Sequence, residues 1–153
     1  MNQQYELLER FYSAFQQLDW ETMAACYHRD VSFKDPAFEL NGADAGKMWK
    51  MLCTRAKDFE LSYEIVEVND TQAVVNWQAN YLFSKTGRKV NNKIKATIVF
   101  KDGLIYQHDD NFNFWRWSRQ ALGLPGYILG WSGAFQSLVS KQAMGQLSQF
   151  QGA

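Results

Sequence analysis

Leu8, Phe11, Phe15 and Leu18 recur at helical spacing and form one apolar stripe near the start of the chain. Asp19 is placed to cap a second, short helix carrying Trp20, Met23, Ala24 and Tyr27. A short strand over 31–35 follows and ends at Pro36, which has no N–H to give to a central ladder. Asp44 then opens a third predicted helix, with Met48, Trp49, Leu52 and Cys53 on its inner side.

From Phe59 the period changes to two. Ala73, Val75, Trp77, Ala79, Tyr81 and Phe83 alternate with Val74, Asn76, Gln78, Asn80 and Leu82, so one face is apolar and the other mostly polar. Turn signals at Asn69-Asp70, at Lys85-Thr86-Gly87-Arg88 and at Lys101-Asp102-Gly103 divide this half into four strands. The third of them turns Ile94, Ala96, Ile98 and Phe100 inward and a row of Lys93, Lys95, Thr97 and Lys101 outward. On the fourth, His108, Asp110, Phe112 and Phe114 share a face, with Asp109 out of phase and solvated. Three helices followed by an antiparallel meander define an α+β domain, with the helices covering one face of a curved sheet. After it, FWRWSRQALG reads as a helical turn and GLPGYILGW as an apolar loop. Phe135, Leu138, Val139, Ala143, Leu147 and Phe150 then read as an amphipathic helix.

The chain has 153 residues, a length that points to one domain. Its 16 basic and 16 acidic side chains cancel, which excludes a strongly electrostatic nucleic-acid binder. No apolar run is long enough to span a membrane, and the opening MNQQYELLER is too polar for a signal peptide, so a cytoplasmic protein is expected. Cys26 and Cys53 fall at apolar positions and read as small core residues rather than a disulfide or zinc site. Neither His28 nor His108 has metal-ligand spacing, and the stretch from Gly42 to Met48 is one residue short of a phosphate loop. No metal or cofactor is expected.

A curved sheet closed by helices encloses an apolar concavity, the usual setting for a small-molecule site. Asp35 follows Phe33 and Val31 in phase and is aimed into it, as are His108 and Asp110. Desolvation raises the pKa of a carboxyl in apolar surroundings toward the range of a general base. Histidine supplies a proton that switches near neutral pH, and a nearby carboxylate holds its tautomer. Together the three could remove a proton beside a carbonyl and return it elsewhere. Structural readings stand beside these: Asp35 could cap the loop after its strand, and His108 with Asp110 could be a self-satisfied buried pair. Phe11, Phe33, Trp49, Tyr63, Trp77, Tyr81, Ala96 and Phe112 are the expected pocket residues.

The segments ELLERFYSAFQQLDWETMAACYHRDVSFKDP and GLIYQHDDNFNFWRW resemble the nuclear transport factor 2-like superfamily, and within it the SnoaL-like group. The first matches two helices and a strand ending in an acidic residue plus Pro; the second matches a last strand bearing His-x-Asp. The resemblance covers roughly residues 4 to 115 and leaves 116–153 as a C-terminal helical extension. It implies a cone of three helices on a bent antiparallel sheet, often dimeric through the sheet's outer face. It also implies a general base at Asp35, by likeness to ketosteroid isomerases, or an acid/base at Asp110, by likeness to SnoaL-type polyketide cyclases. The oxyanion donors of the isomerases fall on Phe11 and Ala96, which cannot donate a hydrogen bond, and this argues against steroid isomerisation.

The expected function is therefore a small-molecule pocket protein acting on an apolar carbonyl or cyclic compound without a cofactor, as a cyclase, isomerase, dehydratase or epoxide hydrolase. A non-catalytic carrier of an apolar ligand and a dimeric adaptor are the alternatives. A homodimer is expected from the family and from Trp115, Trp117, Tyr127 and Trp131, aromatics outside the predicted core.

Overall fold

The first apolar stripe folds as α1 (Gln3–Gln16), which buries Leu7, Leu8, Phe11, Tyr12 and Phe15. The structure, a computed structural model, describes residues 3–150. Helix α2 (Trp20–Ala25) starts at Asp19, whose side chain accepts from the Thr22 amide as an N-cap. It ends sooner than the spacing predicts, because Tyr27 opens strand β1 (Tyr27–Lys34). The three-residue β2 (Glu39–Asn41) folds back on β1 in antiparallel register and is too short to leave a periodic signal. Helix α3 (Ala43–Arg55) starts from Gly42, at φ 60°, without a side-chain cap. Asp44 lies in its first turn instead, where a carboxylate suits the positive end of the helix. Met48, Trp49 and Cys53 are buried as expected, whereas Leu52 is 38% exposed and Met51, one turn on from Met48, is buried in its place.

Strands β3 (Glu60–Val68), β4 (Gln72–Leu82), β5 (Lys89–Lys101) and β6 (Leu104–Asn111) form the expected meander. The six strands make one sheet in the order β2-β1-β6-β5-β4-β3. The sheet is mixed rather than wholly antiparallel, because β6 pairs with β1 in parallel. These are the first and last long strands, so the chain between them easily supplies the long crossover that parallel pairing needs. Register shifts in β1/β6, β3/β4 and β5/β6 bend the sheet toward its helical side. Tyr63, Trp77 and Ile94 stand in one row, Ile94 is buried, and Ala96 and Ile98 belong to the same core cluster as Phe11, Phe15, Met48 and Trp49, so the faces are as the alternation predicts. Lys93, Lys95, Thr97 and Asp109 face outward.

The segment after β6 departs most from expectation. Helix α4 (Phe114–Leu122) is capped by the Asn113 side chain. The stretch expected as a loop contains a further helix, α5 (Leu124–Leu129), with Pro125 in its first turn, where a missing N–H costs nothing. Close backbone contact, rather than an apolar stripe, seats this helix. A Cβ on Gly126 would lie 2.0 Å from the Ser118 carbonyl oxygen, and one on Gly130 would lie 1.9 Å from Ser118 Oγ. Helix α6 (Gly133–Gln149) then runs back over the open end of the cone. There Ser140 Oγ donates to the Ala37 carbonyl at 2.7 Å and Gln136 Nε2 to that of Pro36 at 3.4 Å. Among the described residues, no helix is long and apolar enough to cross a membrane.

Candidate functional site

The concave face of the sheet, α3 and α6 enclose a cavity of about 570 Å³. Its walls are mostly apolar and aromatic, with Phe15, Trp49, Phe59, Trp77, Ile94 and Phe112 among them. Asp35 and Asp110 both reach it.

Asp110 is 2% exposed and sits across from Ala96 on β5, whose methyl group leaves room for a carboxyl beside it. Its Oδ1 accepts from His108 Nε2 at 2.9 Å and from Trp77 Nε1 at 3.2 Å. Among the described residues Oδ2 receives no hydrogen bond. Behind Asp110, His108 is held in a cage of Phe11, Phe33, Tyr27 and Trp49 rings. The other imidazole nitrogen, Nδ1, lies 2.8 Å from Tyr27 Oη, which also accepts from Trp49 Nε1 at 2.8 Å. This geometry fixes the protons. An indole N–H can only donate, and among the described residues the Tyr27 hydroxyl has no other acceptor, so in this arrangement that hydroxyl donates to Nδ1. With Nε2–H donating to Asp110, every proton from Trp49 through Tyr27 and His108 points toward Asp110.

Asp35, just past the end of β1, accepts from the Ala37 and Phe38 amides, both at 2.7 Å through Oδ1. Burial pushes its carboxyl up to about 7, and the charge of Asp110 adds to this; the two amides and His108 oppose it without prevailing. Asp35 thus caps its turn and at the same time presents a raised carboxyl to an apolar cavity. At the other end of the cavity Tyr81 Oη accepts from Trp117 Nε1 at 2.9 Å. The Tyr81 phenol is raised, chiefly by burial and also by the charge of Asp35, against the opposing hydrogen bond from Trp117.

Of the residues expected around the pocket, Trp49, Trp77, Tyr81 and Phe112 line it. Phe11, Phe33 and Ala96 lie beneath its wall, none more than 1% exposed. Tyr63 donates to Glu9 and stacks on Tyr12, away from the cavity. His108 is one layer behind the surface, reaching the cavity only through Asp110. Tyr27, Asn92 and Trp117 were not anticipated as part of the site. The helical phase assigned to Tyr27 and the surface role assigned to Trp117 concealed two of them, and Asn92 gives no signal beyond its inward phase on β5. The Cys26 and Cys53 thiols are raised by burial to about 11 and about 12, consistent with inert core positions. Among the described residues, no group of three His, Cys, Asp or Glu could hold a metal ion.

A bent sheet with three N-terminal helices and an acidic cavity floor defines a nuclear transport factor 2-like domain. The model of the SnoaL-like domain matches residues 8–108, and the chain belongs to that family. A candidate polyketide cyclase from Silicibacter sp. tm1040 is similar in structure at TM-score 0.68 and 20% identity, covering 77% of this chain and 94% of its own. A candidate hydroxylase from Streptomyces galilaeus follows at TM-score 0.66 and 16% identity, covering 88% and 97%. An epoxide hydrolase from M. tuberculosis gives TM-score 0.63 and 15% identity, covering 82% and 95%. At these identities the likeness speaks for the fold alone. Among curated proteins none matches the sequence.

Proposed function

We propose that this protein is a cofactor-independent acid/base enzyme acting on an apolar carbonyl or cyclic compound. The observation that carries this reading is Asp110, a buried carboxyl that opens on an apolar cavity beside a second carboxyl of different environment. Two carboxyls with unlike surroundings can divide the roles of base and acid. Asp110 takes a proton from carbon next to the carbonyl, and the electron pair moves onto the carbonyl oxygen as an enolate. Asp35, which titrates about 7, returns a proton to the new position, and exchange with solvent after product release moves the proton off Asp110 and restores the one on Asp35. His108 and Tyr27 touch no substrate in this scheme; they hold Asp110 in place. The family, and neighbours that include a candidate polyketide cyclase and an epoxide hydrolase, support the reaction class. The test is a screen of enolisable carbonyl compounds and epoxides with wild type and Asp110→Asn. Turnover by wild type that is lost in the variant is the expected result, and no turnover by wild type overturns the reading.

A second reading, a non-catalytic carrier of an apolar ligand, is favoured by Phe11 and Ala96. By the sequence resemblance they fall where steroid isomerases place oxyanion donors, and they offer none. Saturable binding of apolar ligands without chemistry would select it. We also propose a homodimer. Leu124, Tyr127, Ile128, Leu129 and Trp131 form an exposed apolar surface on and beside α5, which monomers rarely tolerate and which a second copy would cover. A clean 17.8 kDa species in sedimentation at micromolar concentration would overturn this.

A further inference from the structure

Asn92 is 6% exposed and lines the cavity, yet its side-chain amide makes no hydrogen bond to any described residue. Its polar atoms are not sealed in the core but open on the cavity, so their hydrogen-bonding capacity is left for whatever occupies that space. On the neighbouring strand Tyr81 presents a second unspent donor. Its oxygen is taken by the Trp117 indole N–H, and its own proton has no acceptor among the described residues. Asn92 stands opposite Ala79, and Tyr81 opposite Val90, so the two polar groups occupy adjacent rows of the same concave face.

Asn92 is not beside Asp110, although the charge of Asp35 reaches Tyr81. Asp110 is in the row of Ala96, four residues along β5 from Asn92, a backbone separation of about 13 Å. Trp77, Ile94 and Phe112 fill the wall between. The cavity thus has two polar ends and an apolar waist. A ligand that touches both ends must span that strand separation less the reach of the two side chains, a length on the scale of a small fused-ring system.

We propose that Asn92 and Tyr81 form a hydrogen-bonding anchor for a carbonyl or phenolic oxygen of the ligand, at the end of the cavity remote from Asp110. The ligand class that fits is elongated, flat and largely apolar. It has at least two fused rings and an oxygen at the end opposite the carbon that Asp110 addresses. Trp117 is a positioning residue: by occupying the phenol oxygen it leaves Tyr81 only its proton to offer. The assignment of the far end as the reacting end rests on the acid/base reading above; the anchor itself does not.

Equilibrium dialysis with 2-naphthol and with naphthalene, which has the same rings and no oxygen, tests the anchor. Wild type is expected to bind 2-naphthol at least tenfold more tightly. That preference should fall to about twofold or less in Asn92→Leu and in Tyr81→Phe, while naphthalene binds both variants as it binds wild type. Because Asn92→Leu removes an unpartnered polar group, it should also melt at or above the wild-type temperature, so lost preference cannot be put down to a damaged fold. Trp117→Phe should weaken the preference alone and add nothing when combined with Tyr81→Phe. Equal binding of the two probes by wild type, or a preference that survives both variants, overturns the proposal. The two readings fail separately. Turnover that needs Asp110 without a naphthol preference removes the anchor only, and a naphthol preference without turnover removes the acid/base reading only.

Discussion

Phe33 of β1 and His108 of β6 lie directly across from one another in parallel register, their ring centroids 5.1 Å apart. Two residues further along each strand come Asp35 and Asp110. Parallel pairing therefore delivers both carboxyls at the same level to the same cavity, and their mutual repulsion helps to raise Asp35. An antiparallel pairing of the same two strands would run Asp35 and Asp110 away from each other.

Asp35 gives stability a pH dependence of defined sign. Its carboxyl is raised from an ordinary value of 3.8 to about 7, so between these limits the folded chain binds the proton and the unfolded chain does not. Its contribution is fully present below about pH 4 and is lost as pH rises through about 7. Asp35→Asn keeps an acceptor for the Ala37 and Phe38 amides and should flatten this part of the profile. Urea unfolding of both proteins from pH 5 to pH 8 checks it; equal slopes would contradict the assignment.

At Asp110 the two obvious substitutions should separate chemistry from structure. Asn retains an oxygen for His108 and Trp77, so Asp110→Asn should abolish turnover and cost less than about 1 kcal/mol. Ala strands both N–H groups, and Asp110→Ala should cost about 1–3 kcal/mol or more. Denaturant titrations of the pair provide the comparison, and a larger loss in Asn than in Ala would refute the bonding described.

Tyr27→Phe removes one oxygen and leaves two buried polar groups unpaired, Trp49 Nε1 and His108 Nδ1. We expect a loss of about 2–4 kcal/mol. The proton order predicts a second effect: Nε2–H stays on Asp110, whereas Nδ1 loses the hydroxyl that bonds to it, so the Nδ1 resonance should move and the Nε2 resonance should not. Nitrogen chemical shifts of the imidazole in wild type and variant would report it.

Gly126→Ala should dislodge α5 from α4, since its Cβ has 2.0 Å to the Ser118 carbonyl oxygen. Backbone cannot yield as a flexible side chain can, so faster amide exchange through residues 114–130 is expected, with the sheet core unchanged. Protection equal to wild type in that segment would show that the two helices can separate without cost.

The meander and the first helix were legible because each carries a clean period on one buried face. Alternation from Ala73 to Phe83 and the phase of His108 and Asp110 suffice to aim those side chains inward. Tyr27 was not legible. Its apolar ring continues the spacing of α2, and only the parallel pairing with Ile105 shows that it belongs to β1. Helix α5 was also hidden, because its seat is made by two glycines and a close backbone contact rather than by an apolar stripe. Asn92 shows the remaining limit. Phase places it inward, but an inward polar residue without a partner is recognised only once its neighbours are known.

The turn at residues 35–38 faces two ways. Its amides bind the Asp35 carboxyl, and the carbonyls of Pro36 and Ala37 hold the side chains of Gln136 and Ser140 on α6. Lifting α6 from that turn would admit water to Asp35 and return its acidity toward that of a free carboxyl. To the extent that α6 supplies the burial of Asp35, the seated helix and the bound proton would favour one another, and by thermodynamic reciprocity alkaline conditions would loosen the helix. Access to the cavity and the charge of its floor would then be two readouts of a single equilibrium.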